Sequence, residues 1–518
     1  MLSATIVGGD RGDTLNGGAG VDLVDYSSRT NPVSVSLDGV AGDGEAGEND
    51  NAGADVENVN GGTGDDTLTG NASANALNGA GGNDLVDGGL GADVLSGGPG
   101  TDIADYSGRA NAVKVTLDGV ANDGQTGEAD NVGADFEFVY GGAGNDTLTG
   151  NAAANVLRGG AGNDKLNGGA GDDLLDGGAG TDTLKGGSGI DVADYSSRAN
   201  PVAISIDGLA NDGEAGENDT VATDVENVLG GSGNDTLTGS ASPNLLVGGA
   251  GDDTLAGGGA TDILRGGPGN DVENGGAGDD VLDQEAAANG ADVLNGGTGS
   301  DLASYSQRAA PVSVSLNGIA DDGGAGENDN VAVDVEKVMG GAGGDVLVGS
   351  SGANTLYGEL GADTLSGGSG KDILDGGLGD DVENGEGGND TFREGASPPN
   401  GADTLSGGSG VDTVDYSGRS GNLAVSIDGV ANDGEAGEGD LVGLDVENVL
   451  GGLADDTING SAAGNALTGG PGADSLFGLA GDDVLNAQDG VSGNDAVDGG
   501  PGTDTCTADP GDSVVLCP

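Results

Sequence analysis

Histidine and tryptophan are absent from this 518-residue chain, cysteine and methionine occur twice each, and aromatic residues make up 2% of it. The missing histidine excludes a Ser-His-Asp or Cys-His nucleophile, a zinc-protease helix and any histidine metal site. Positive charge is almost as scarce: 14 Lys and Arg stand against 89 Asp and Glu, a formal net charge of −75. A chain this acidic is repelled by DNA, RNA and anionic lipid, which excludes nucleic acid as a partner. No apolar run approaches the ~18 residues that a membrane span needs. The first ten residues hold no basic segment followed by an apolar one, so no cleavable secretory leader is expected there.

What the chain has in excess is glycine, 116 residues, against an average near 7%. Glycine and acid in such proportion ordinarily leave a chain disordered, because too little apolar surface is available to bury. The order of the residues argues otherwise. From Gly159 the chain reads GGAGNDKLN, GGAGDDLLD, GGAGTDTLK, GGSGIDVAD, four successive copies of GGxGxDxUx in which U is aliphatic. Twenty strict GGxGxD motifs occur along the chain, and seven more carry a single change. Spacing holds where letters drift: Val59, Leu68, Leu77, Val86, Leu95 and Ala104 lie nine residues apart.

The GGxG part permits backbone angles closed to other residues and predicts a tight turn with exposed carbonyls. The Asp adds a carboxylate, and xUx makes a short strand with one side chain facing inward. Two units, 18 residues, close one turn of a flattened right-handed coil. Turns about 4.8 Å apart then set each Asp above the Asp 18 residues earlier, Asp164 by Asp182 and Asp173 by Asp191. Columns of like charge at this spacing need a counter-charge. Carboxylate and carbonyl oxygens in flexible geometry suit Ca²⁺, whereas Mg²⁺ demands a stricter octahedron. One ion per strict motif would bring the net charge from −75 to −35. Folding is therefore expected to depend on calcium, the metal's binding energy serving as folding energy.

The nonapeptide resembles the repeat of the RTX family, the hemolysin-type calcium-binding repeat proteins, wherever the regular repeats run. The resemblance implies an all-β fold, a right-handed parallel β-roll (β-solenoid), with multiple Ca²⁺ ions held between loops of neighbouring turns by Asp side chains and loop carbonyls. Carried onto this chain, the ligands are Asp22, Asp66, Asp93, Asp102, Asp146, Asp164, Asp173, Asp182, Asp191, Asp235, Asp253, Asp271, Asp280, Asp301, Asp345, Asp372, Asp381, Asp412, Asp474 and Asp504. The altered motifs add Asp84, Asp262, Asp363, Asp390, Asp456 and Asp483. The competing expectation is a Gly-Asp solenoid that binds no metal.

A longer period overlies the nonapeptide. A DYS-type tripeptide recurs at Tyr26, Tyr106, Tyr195, Tyr305 and Tyr416, and each copy opens a segment of one fixed length, residues 24–59, 104–139, 193–228, 303–338 and 414–449. Equal lengths predict a folded insert and not a slack linker. The chain then divides into N-terminal repeats, 1–24, and five modules, 25–104, 105–193, 194–303, 304–414 and 415–518, expected to form one continuous solenoid. Inside the first insert, Val33 to Leu37 alternates apolar and polar residues, a strand with one buried face. The acids that follow, Asp43, Glu48 and Asp50, recur in every module. Their spacing with interleaved glycine suits a second oxygen-rich metal site, and equally a solvated acidic turn. Arg29, Arg109, Arg198, Arg308 and Arg419 recur at one register, which predicts a fold-locking ion pair with an insert carboxylate. Asn75, Asn155, Asn244, Asn354 and Asn465 take the Asp place in one nonamer per module, where weaker or empty sites are expected. Longer steps, near Asp283 to Asp292, Arg393 to Asp403 and Ala487 to Asp495, are expected to bulge as loops.

Cys506 and Cys517 flank the turn sequence Asp509-Pro510-Gly511-Asp512. A disulfide there would close about a dozen residues and stabilise by roughly 3 kcal/mol, and it implies an oxidising compartment; two free buried thiols are the alternative. Calcium also points outside the cell, so an extracellular, secreted or cell-surface location is expected. The expected function is that of a secreted calcium-binding protein that folds on reaching calcium and serves as extracellular scaffold, spacer or surface-associated layer. Two alternatives stay open: a calcium-dependent adhesin acting through the inserts on cell-surface polysaccharide or protein, and the non-catalytic repeat part of a larger secreted RTX enzyme or toxin. Repeats fill nearly the whole length and leave no room for a separate catalytic domain, so the chain is not expected to be an enzyme.

Overall fold

The computed structural model describes residues 3–395 and 400–517; the first two residues of the N-terminal stretch, part of the long step between Arg393 and Asp403, and the last residue lie outside them. Every helix or strand described is a β-strand. The chain divides into two compact units, Met1–Gly249 and Ala250–Pro518, and each is a parallel β-solenoid built on one rule.

The four unbroken repeats of the first unit display that rule. Val156–Ala161 pairs in parallel with Leu174–Ala179, and Lys165–Ala170 pairs with Thr183–Ser188. Each partner lies 18 residues on, so a nonapeptide is half a turn and successive repeats alternate between two sheets. Side chains alternate across a strand, which turns the single aliphatic of each repeat inward. Leu157, Leu166, Leu175 and Leu184 are all 1% exposed or less, each burial worth ~1.5–3 kcal/mol. The second unit repeats the arrangement, with Thr355–Tyr357 on Ile373–Asp375 and Leu356 and Leu374 buried between the sheets.

Glycine is required where the loops of successive turns touch. Gly178 has φ +82° and Gly180 +149°, and a Cβ on them would fall 1.9 Å from the Gly160 carbonyl oxygen and 1.5 Å from that of Gly162. Both the left-handed angle and the close approach exclude a side chain. The loops therefore stack carbonyl on Cα, turn upon turn.

The inserts fold into more than the single strand legible in their sequence. In the third module Val202–Ser205 pairs antiparallel with Ala210–Glu214, which pairs antiparallel with Asp219–Val221. The two outer strands join the solenoid in parallel, Asp219–Val221 to Thr183–Ser188 and Val202–Ser205 to Thr236–Thr238. Three short strands thus stand where a regular turn has one. In the first module, Val33–Ser36 buries Val33 and Val35 and exposes Ser34.

Repeat count decides which sheet carries an insert. Between the first and second inserts, residues 59 to 104 make five half-turns, and Val33–Ser36 and Val113–Thr116 lie in opposite sheets. Between the second and third, residues 139 to 193 make six, and both insert patches oppose the sheet that runs from Phe138–Tyr140 to Asn227–Leu229. In the second unit the long steps preserve this parity: turns lengthen to 21 or 22 residues, yet the backbone N–H groups of Asp271, Asp381 and Asp474 still reach Asp292, Asp403 and Asp495. Two inward positions before such steps are not aliphatic. Glu273 and Glu383 are fully buried, each accepting the amide N–H that opens its own repeat, from Gly266 at 2.8 Å and Gly376 at 2.6 Å. Burial pushes both carboxyls well above their usual range. Cys506 and Cys517 are joined by a disulfide, Cα to Cα 5.9 Å.

Candidate functional site

The Asp of each nonapeptide follows the glycine turn and precedes the strand, so within each unit the solenoid stacks these residues in two columns. Within a column the backbone N–H of one Asp donates to Oδ1 of the Asp one turn later: Asp146 to Asp164 at 2.7 Å, Asp164 to Asp182 at 2.8 Å, Asp173 to Asp191 at 2.9 Å. The second unit does the same, from Asp363 to Asp381 at 2.7 Å and from Asp372 to Asp390 at 2.9 Å. One carboxylate oxygen therefore belongs to the backbone.

The other oxygen does not. Oδ2 is buried without a hydrogen-bond partner in Asp22, Asp84, Asp93, Asp102, Asp164, Asp173, Asp182, Asp191, Asp271, Asp280, Asp301, Asp363, Asp372, Asp381, Asp390, Asp412, Asp474, Asp483 and Asp504. Asp253 and Asp262 stand in the same columns and donate to Asp271 and Asp280. The open oxygens face a cradle that only glycine leaves clear. A Cβ on Gly159 would meet Asp164 Oδ2 at 2.4 Å and the Gly177 carbonyl oxygen at 2.5 Å; on Gly275 it would meet Asp280 Oδ2 at 2.5 Å and the Gly296 carbonyl oxygen at 2.6 Å. The donor set is oxygen only, carboxylate from one turn and carbonyl from the next, as a hard cation such as Ca²⁺ requires. Among the described residues no group of three acidic or cysteine side chains is placed to hold a metal ion by itself; a cation held here would need backbone carbonyls beside the carboxylates.

Without a cation these carboxylates are held in an unfavourable state. Burial, with the neighbouring Asp219 and Asp164 charges behind it, pushes Asp182 up to about 8. Burial likewise pushes Asp93, Asp271 and Asp363 up to about 7. A buried, unpaired carboxylate is among the costliest groups a fold can hold.

Five of the expected ligands differ. Oδ2 of Asp66, Asp146, Asp235, Asp345 and Asp456 accepts a glycine N–H, from Gly62, Gly142, Gly231, Gly341 and Gly452. All five begin the first repeat after an insert. The asparagines nine residues further on are closed in another way: Nδ2 of Asn75 donates to the Glu57 carbonyl at 3.1 Å, and Nδ2 of Asn465 to that of Glu447 at 3.0 Å. An amide N–H here supplies positive charge to the column from within the chain.

The insert acids occupy column places. Asp50 Oδ1 accepts the N–H of Asp13 and its Oδ2 the hydroxyl of Tyr26; Asp43 takes the amides of Ser36 and Ala52. Glu48 accepts the Glu45 amide and pairs with Arg29 at 2.8 Å. The oxygens offered for a second metal site are thus engaged by protein donors. The recurring arginines all meet this glutamate, Arg109 with Glu128 at 3.4 Å, Arg198 with Glu217 at 3.1 Å, Arg308 with Glu327 at 2.7 Å and Arg419 with Glu438.

Three column residues escape the motif. Asp292, Asp403 and Asp495 follow the long steps, and each has a buried Oδ2 without a partner. Their signal is a surviving G-x-D, Gly290-Ala291-Asp292, Gly401-Ala402-Asp403 and Gly493-Asn494-Asp495, stripped of the leading GG.

Comparison with known families matches the RTX calcium-binding nonapeptide repeat at residues 3–28, 51–86, 74–104, 132–166, 158–193, 229–264, 257–283, 287–303, 339–374, 358–392, 400–418, 450–485 and 489–515, more than half of the chain. The longer gaps between matches fall on the inserts, and the short gaps, 284–286, 393–399 and 486–488, fall on the long steps. A comparison with curated proteins finds no match.

Proposed function

Since the chain belongs to the RTX calcium-binding nonapeptide repeat family, we propose that its regular turns become stable only when metal takes up the open oxygens of the Asp columns. It is a calcium-binding repeat protein. Calcium supplies positive charge and a demand for many oxygen ligands; the chain supplies Oδ2 atoms and loop carbonyls already in place. The observation that carries the reading is the row of buried Oδ2 atoms with no donor, set beside glycine cradles.

The proposal extends to an extracellular role. Cytosolic calcium would leave such columns unfilled, and the Cys506–Cys517 disulfide suits an oxidising compartment. There the protein acts as a scaffold or spacer that stiffens on meeting calcium, without catalysis of its own, by itself or within a larger secreted protein. One observation favours adhesion as a second reading. Val40, Val120, Leu209, Ile319 and Val430 occupy the same place in the five inserts and are all 53% exposed or more, a repeated apolar contact suited to avidity.

Circular dichroism during calcium titration, reversed with EDTA, tests the calcium reading. Strand signal should grow with calcium and fall again on chelation; full strand signal in EDTA would overturn it. Retention on cell-wall polysaccharide that is lost when Val120, Leu209, Ile319 and Val430 are changed to Ser would favour the adhesin.

A further inference from the structure

The regular turns and the insert turns treat their acids differently, and the fourth module shows the contrast in full. Asp292 and Asp301, in the turns before the insert, each leave Oδ2 buried and unpartnered. Inside the insert nothing comparable remains on the column acid. Asp329 Oδ1 accepts the Asp292 amide at 3.0 Å and its Oδ2 accepts the Tyr305 hydroxyl at 3.0 Å. Asp322 takes the amides of Ser315 and Val331, and Asp345, in the next turn, takes those of Val312 and Gly341. Arg308 places its three nitrogens on Glu327, the Gln284 carbonyl and Asn289, buried beside the ring of Tyr305. Asn354 closes the other column with its amide on the Glu336 carbonyl. At Asp329, Asp322 and Glu327 a hydroxyl, backbone amides and a guanidinium stand where a cation would act in a regular turn.

Resting on the calcium reading above, we infer that the insert turns are metal-independent layers that hold their fold in the absence of calcium and divide the Asp columns into separately filling blocks. One such block in the first unit runs from Asp164 to Asp191, bounded by the second and third inserts. In the second unit Asp363 to Asp412 forms another, bounded by the fourth and fifth. Stability in a stacked array is a sum of local terms, so a layer whose column acids are met by protein donors persists while its neighbours open. Calcium uptake then proceeds block by block from pre-formed ends.

Hydrogen–deuterium exchange of the full chain, followed by mass spectrometry in calcium and in EDTA, tests this. In EDTA, peptides covering 305–331 and 416–442 should exchange at least about ten-fold more slowly than peptides covering 164–191, the difference expected between structured and open segments; in calcium all should be protected. Tyr305→Phe removes the hydroxyl from Asp329, and protection of 305–331 should then become calcium-dependent while 416–442 keeps its own. The inference is overturned if insert peptides in EDTA exchange as fast as the regular turns, or if Tyr305→Phe leaves 305–331 unchanged. Regular turns that stay protected in EDTA would instead overturn the calcium reading on which it rests. Should Tyr305→Phe not fold, the exchange pattern of the unaltered chain decides alone.

Discussion

A column Asp has two oxygens with two tasks. Oδ1 caps the backbone of the turn before, and this cap holds whether or not the acid is ionised. Oδ2 is what metal or proton must satisfy. An unfolded Asp titrates near 3.9, whereas burial pushes Asp164 and Asp173 up to about 6, Asp93 and Asp271 to about 7 and Asp182 to about 8. A carboxyl whose folded pKa is raised contributes stability that is complete below the unfolded value and is lost as pH climbs through the folded one, here about 6 to 8. In EDTA the chain should therefore hold more strand near pH 5 than near pH 8, with calcium restoring it at the higher pH. Circular dichroism across that range checks the sign; a metal-free chain that gains strand on alkalinisation would refute it. The Asp positions were readable from the motif, because nine-residue spacing fixes both column and facing. Asp292, Asp403 and Asp495 were not, since a turn lengthened to 21 or 22 residues discards the GG and keeps only the geometry. Nor could spacing separate Asp66 or Asp345 from their neighbours: their Oδ2 finds a glycine amide only because an insert precedes them.

At the scale of an element, the insert is where reading the sequence fell shortest. Alternation at Val33 to Leu37 predicts one strand, but the acidic stretch after it also pairs, as short antiparallel strands that a glycine-rich composition conceals. The spacing of its acids suits a metal site and a solvated turn equally, and the tyrosine and arginine that engage them lie up to 24 residues away, beyond any local pattern. The register of the arginines did point to an insert carboxylate. Their strength should follow burial. Arg308 has 6% of its side chain exposed and pairs with a Glu327 that is 4% exposed, while Arg29 has 15% exposed and divides its charge among Glu48, Glu45 and Asp10, the last 99% exposed. Removing one member of a buried pair costs about 3–5 kcal/mol, so Arg308→Gln should lower the melting temperature of its unit well beyond the effect of Arg29→Gln. Calorimetry in calcium makes the comparison; equal shifts would mean that the buried guanidinium contributes no more than the partly exposed one.

For the whole molecule, the formal charge of −75 is the dominant quantity. Screening acts over ~10 Å at 0.1 M salt and ~3 Å at 1 M, while successive column carboxylates stand one strand spacing apart, about 4.8 Å. Salt should thus relieve repulsion between distant parts of the chain and leave much of the repulsion within a column. Raising NaCl to about 1 M in EDTA is expected to recover only part of the strand signal, and millimolar calcium the remainder; complete recovery with NaCl would reduce calcium to a screening ion. Counting has a separate consequence at this scale. In the first unit, five half-turns between the first two inserts put them on opposite flanks, and six between the next two leave them on one. Duplication of a single nonapeptide would therefore carry an entire insert, with its exposed aliphatic tip, round to the other side, and a second duplication would bring it back. Which surface this protein presents is written in the arithmetic of its repeats, open to change without altering one side chain.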